Sequence, residues 1–130
     1  MDYLADIGFV ESIWDESLNG TVGAARRFAE ANSRSSFAIS IQTSIRLLAS
    51  SGADDEEIVE RFMKAFPVIP FDEPLIAKAA SLFRAHEIPL EIAIEAATAK
   101  HHELKILTGA PERYSALPGL TIVNFRDEDQ

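Results

Sequence analysis

A chain of 130 residues with 47% apolar and 25% charged side chains has the composition of one globular domain built on one core. Its net charge of −9 argues against broad electrostatic binding of nucleic acid, and the absence of Cys excludes disulfides, thiolate catalysis and Cys-containing zinc sites. No apolar run approaches the roughly eighteen residues of a membrane span, and the opening MDYLADIG carries acids where a signal peptide carries Lys or Arg. A cytoplasmic protein with no membrane partner is therefore expected.

In chain order, YLADIGFV reads as a buried strand that ends near Asp6 and Gly8 and turns into a helix, with Phe9, Ile13 and Trp14 as the anchors of that helix. TVGAARRFAEANS, 21–33, is helical in pattern, with Val22, Ala25, Phe28 and Ala29 on one stripe. FAISIQTSIRLLASSG starts as a strand, continues as a helix from about Thr43 and stops at Gly52, with Arg46 inside the helix. DDEEIVERFMKAF places Ile58, Val59, Phe62 and Phe66 at helical spacing behind acids in the first turn.

PVIP, 67–70, is a minimal strand, Asp72 and Pro74 open the next helix, and a further helix begins at Pro89. LKILT is a short strand, GAPERYSALPGL a loop with one helical turn, and LTIVNF the last strand. Strands alternating with helices predict an α/β domain over 1–125, a parallel sheet of about five short strands flanked by helices, with an acidic tail at 126–130. In such sheets ligands sit beyond the carboxyl ends of the strands, which is where Asp6 and Thr108 fall.

The motifs narrow the chemistry mostly by what is missing. There is no glycine-rich phosphate loop, no HExxH zinc signature and no GxSxG elbow. His101 and His102 are adjacent on a helix, about a hundred degrees apart, so they are poorly placed to share a metal. A response-regulator reading needs paired acids after the first strand, whereas Asp6 is followed by Ile7. Glu91 and Glu95 lie four apart near the start of the last long helix and read as solvent-facing.

The order of segments resembles a known family. YLADIGFVESIW resembles the YLLDTNVLI opening of PIN domains of the VapC toxin type, AISIQTSIRLLAS their AISVITLAELLYG, and IPLEIAIEAATA their IPIGDALIAATA. LKILTGAPERYSALPGLTIVNF is similar to their LTLVTRNTRDFARIPGLRVLNP, so the resemblance covers nearly the whole chain. It implies a PIN-like fold in which acids hold Mg²⁺ or Mn²⁺ and activate water to cleave an RNA phosphodiester.

Carried over position by position, only the first acid, Asp6, is retained as the candidate catalytic residue. The second family acid falls on Arg46, the third on Ile92, and the last motif on Thr108, Gly109, Ala110, Arg113 and Tyr114. The resemblance thus implies a degenerate, non-catalytic member that acts in protein or RNA binding of toxin–antitoxin type, with no cofactor, a small antitoxin-like partner and a homodimeric state. The alternative is an active Mg²⁺- or Mn²⁺-dependent endoribonuclease using Asp6 with Glu95, helped by Glu91 or Glu112, with RNA as its partner. A third reading has Arg46 and Arg113 binding an anion. Within the degenerate reading, Arg46 is expected to point inward and pair with Asp6 in place of the metal.

Overall fold

In the computed structural model, which describes residues 2–127, five strands form one parallel sheet. They are β1 (Tyr3–Ala5), β2 (Phe37–Ser40), β3 (Val68–Ile69), β4 (Lys105–Thr108) and β5 (Ile122–Asn124), in the spatial order β3-β2-β1-β4-β5. Leu4 pairs with Ala38 on one side and Ile106 on the other, and Leu107 pairs with Val123. Six helices cover the sheet: α1 (Ile7–Asn19), α2 (Ala24–Ala31), α3 (Ile41–Ser50), α4 (Glu56–Met63), α5 (Glu73–Ala85) and α6 (Leu90–His101). Of the expected acidic tail, residues 128–130 lie outside the described residues.

Strand periodicity divides the core in two. Tyr3, Ala5, Ile39 and Leu107 point to one face and pack with Phe9 and Val10 of α1 and Leu47 of α3. Leu4, Ala38 and Ile106, their neighbours in sequence, point to the other and pack with Ile92, Ala96 and Ala99 of α6. A third cluster, Leu75, Ala79 and Ala97, joins α5 to α6, where small side chains let the two helices approach closely.

Local chemistry explains the helix starts. Asp6 is extended and its Oδ1 accepts the Phe9 N–H at 2.9 Å, capping α1; Ser40 Oγ accepts the Thr43 N–H at 3.2 Å, capping α3; Asp72 does the same for α5. Helix α3 therefore begins directly at the end of β2, two residues before the expected Thr43. Helix α2 has no cap of its own, because Gly23 occupies that position. Glu16 of α1 supplies it, accepting from the N–H groups of Gly23, Ala25 and Arg26 at 2.7, 3.3 and 3.0 Å.

That borrowed cap fixes the start of α2 at Gly23 and corrects the expected apolar stripe. Val22 lies in the connection before the helix and is 49% exposed. Ile58 likewise faces outward at 52% exposure, while Val59 one position on is buried.

The strand order reverses direction at β1: the chain proceeds outward to β2 and β3, then returns to place β4 on the opposite side of β1. The crevice between the carboxyl ends of β1 and β4 is thus the switch point of the sheet, where such folds form sites. Asp6 stands there, its N–H bonded to Leu107 O of β4 at 3.0 Å.

Candidate functional site

Four elements converge on this crevice. Asp6 arrives from the end of β1, Gln42, Thr43 and Arg46 from α3, Glu91, Ile92 and Glu95 from α6, and Arg113 and Tyr114 from the single helical turn Pro111–Tyr114 that follows β4. The space they enclose is about 20 Å³, close to the roughly 10–15 Å³ needed to seat one water molecule. Ile92 is buried in its wall.

Glu95 is the unexpected member. It is 5% exposed, not solvent-facing as its sequence context suggested, because α6 turns this face toward the sheet rather than outward. Its Oε1 accepts from Ser40 Oγ, from Gln42 Nε2 at 2.9 Å and from Thr43 Oγ1 at 3.4 Å. Burial pushes its carboxyl above the ordinary carboxylate range; the three hydrogen bonds pull it down in part, and the charge of Asp6 adds to the rise. Burial, aided by the negative charges of Glu95 and Asp6, also raises the Tyr114 phenol.

Gln42 binds this arrangement together, since the same Nε2 also donates to Glu91 O at 2.8 Å. Glu91 lines the rim of the crevice and is exposed, with its carboxylate 3.8 Å from Arg113. Glu112 is exposed on the turn Pro111–Tyr114.

The expected Arg46–Asp6 pair is absent. Arg46 lines the mouth of the pocket but is exposed, and among the described residues no ion pair joins it to Asp6. The physical reason is that Asp6 needs no cation: its Oδ1 is committed to the Phe9 N–H at the start of α1, where the helix dipole favours negative charge. Arg113 pairs with Glu91 at the rim instead.

Whether these residues suit a divalent ion is decided by donors and space. Mg²⁺ takes near-octahedral oxygen ligands and keeps several of its waters. Here one Glu95 oxygen is taken by three protein donors, one Asp6 oxygen by a helix N–H, and the remaining space is that of a single water. No group of three or more acidic or imidazole side chains among the described residues converges as a ligand set. The residues present do not fit the ion.

Sequence reasoning brought Asp6, Arg46, Ile92, Arg113 and Tyr114 to one place, with Glu95 beside Asp6 only in the alternative reading, and missed Ser40, Gln42 and Thr43. A signal was available for these three: a Ser at the carboxyl end of a strand, followed by a helix, is an N-cap, and residues in the first turn of that helix face the strand ends. The burial of Tyr114 carried no such mark, since it depends on how the loop after β4 folds over α6.

No protein-family model and no curated protein matches the sequence. Solved structures do. The fold is similar to a chain of a toxin–antitoxin complex from Klebsiella pneumoniae, with a TM-score of 0.75 at 21% identity over 96% of this chain and 98% of that one. It is similar to a chain of VapBC-1 from nontypeable Haemophilus influenzae, with a TM-score of 0.77 at 14% identity over 98% and 100%. A chain of DNA-bound VapBC from Salmonella typhimurium gives 0.73 at 19% identity over 96% and 98%. The fold is PIN-like. At these identities the likeness concerns the path of the backbone, and within that PIN-like fold the crevice chemistry is this chain's own.

Proposed function

We propose that this chain is a non-hydrolytic PIN-like protein that acts by binding a partner polypeptide in a system of toxin–antitoxin type. The observation that carries the reading is the state of the Glu95 carboxylate. A buried acid with a raised pKa, held by Ser40, Gln42 and Thr43 beside Ile92, completes a closed structural network and leaves about 20 Å³. Such a network stabilises the junction of β2, α3 and α6; it does not present oxygen ligands to an ion or a water to a phosphate.

A protein partner is favoured over RNA by charge. With 21 acids against 12 Lys and Arg, the chain lacks the excess of cations with which a phosphate backbone is neutralised. The partner-bound character of the similar structures, which are complexes by their own descriptions, supports the same choice.

The second reading, a Mn²⁺-dependent ribonuclease with a rearranged acidic site, draws on one specific fact: Asp6 and Glu95 do line the same pocket. One experiment separates the two. Purified protein is incubated with a mixed RNA pool in Mn²⁺ and in chelator, alongside Asp6→Asn. The expected result is no cleavage above the Asp6→Asn background in either condition; Mn²⁺-dependent cleavage that Asp6→Asn abolishes establishes the second reading.

A further inference from the structure

Away from the crevice, α1, α3 and α4 leave a groove of about 190 Å³ between them. Its apolar part is built on Trp14 of α1 and Phe62 of α4, which meet edge-to-face with ring centroids 5.0 Å apart over buried Leu47 and Val59. Its polar part is entirely acidic in charge. Glu11 and Asp15 flank Trp14 on one face of α1, and Asp55 stands at the start of α4. Among the described residues none of these three carboxylates has an ion pair or a side-chain hydrogen bond, and no Lys, Arg or His lines the groove.

Two exposed apolar side chains lie on the same helices outside the groove lining: Leu18, one turn beyond Trp14 on α1, is 66% exposed, and Ile58, next to Val59 on α4, is 52% exposed. The volume is below the roughly 300–1,000 Å³ of typical small-molecule sites, and suits one long side chain. Apolar walls favour an aliphatic stem, aromatic rings favour a cation at their faces, and carboxylates at the rim complete its hydrogen bonds. A phosphate or an acidic segment is repelled.

We infer that this groove receives an arginine side chain of a partner polypeptide, with apolar residues on either side of that arginine covering Leu18 and Ile58. Arginine is favoured over lysine because its planar guanidinium stacks on the rings while its N–H groups reach two carboxylates at once. The inference rests on the partner-binding reading for the existence of a partner, but the groove is distinct from the crevice at Asp6, and its test does not depend on whether RNA is cleaved.

Trp14 is the one tryptophan of the chain, so its fluorescence reports on the groove directly. The probe is acetyl-Leu-Arg-Leu-amide titrated to concentrations on the order of millimolar into the full chain, against the same peptide with citrulline, which keeps the shape and loses the charge. The expected result is a saturable change in Trp14 emission that needs at least about tenfold more citrulline peptide and weakens with added salt. It is weakened to the same degree by Asp15→Asn with Asp55→Asn, and by Glu11→Gln in a separate variant that leaves the start of α4 untouched. It is unchanged in Arg46→Ala at the other pocket. An absent response, a citrulline response as strong as the arginine one, a response in both acid variants as strong as in the wild type, or loss of the response in Arg46→Ala overturns the assignment.

Discussion

Glu95 shows how one side chain changes meaning once its surroundings are known. In sequence it is one Glu of a pair on a helix; in the fold it is a buried acid whose proton is retained above the ordinary carboxylate range. The sign of the consequence follows from linkage. The unfolded chain releases this proton first, so as pH rises through the ordinary range toward the raised value the native state loses ground, by up to about 1.4 kcal/mol per pH unit for a single proton. Below that window the contribution is complete. Glu95→Gln can still accept from Ser40, Gln42 and Thr43 through its carbonyl and has no proton to lose. Thermal melts over this pH range are expected to show a downward slope in the wild type that is shallower in Glu95→Gln; parallel curves contradict the buried-acid account. Arg46 is the opposite case. Exposed and unpaired with Asp6, it predicts that Arg46→Ala changes stability by no more than about 0.5 kcal/mol in denaturant unfolding. A loss of several kcal/mol points instead to an Arg46–Asp6 pair in solution.

At the scale of elements, the helices differ in how their first turns are satisfied. Helices α1, α3 and α5 carry their own caps at Asp6, Ser40 and Asp72, whereas α2 depends on Glu16 from the preceding helix. Because one carboxylate serves three N–H groups, Glu16→Ala leaves the start of α2 unsatisfied and is expected to cost about 1–2 kcal/mol, the upper range of cap losses. The exposed i,i+4 pair Glu57–Arg61 provides the contrast: at 3.6 Å in open solvent, its removal by Glu57→Ala is expected to leave the urea midpoint where it was. Equal midpoint shifts for the two variants count against the cap. The same carboxylate explains Gly23, where an added Cβ meets Glu16 at 2.8 Å.

For the molecule as a whole, the fold is PIN-like and the side chains around the crevice at its switch point leave about 20 Å³ between them. A protein whose site binds an ion gains stability from that ion by mass action, about 2.7 kcal/mol at a hundredfold excess over the dissociation constant. The proposed non-hydrolytic reading, with so little space beside Asp6 and Glu95, predicts none of this: melting temperatures of the wild type in Mn²⁺ and in chelator should coincide, with Asp6→Asn as the control for non-specific salt effects. A Mn²⁺-dependent rise that Asp6→Asn removes shows that Asp6 and Glu95 open to receive the ion.

The elements themselves were legible before any coordinates. The strand YLA ending near Asp6, the strand starting at Phe37, the helix start at Asp72, the break at Pro89 and the final strands all follow from periodicity and from helix-start signals, which are properties of neighbours in the chain. The resemblance added the order in which these pieces stand and named Asp6, Arg46, Ile92 and Arg113 as occupants of one place. Only the tertiary structure decided which way the side chains at that place are spent. Glu95 and Ser40 are 55 residues apart, and no local pattern says that a hydroxyl ending one strand will hold the acid of a distant helix. Nor does it say that Glu16 will cap α2, or that Glu11, Asp15 and Asp55 will share a groove with the lone Trp14. Burial and hydrogen-bond partnership depend on what packs across the sheet, whereas helix and strand propensity depend on what comes next in the chain.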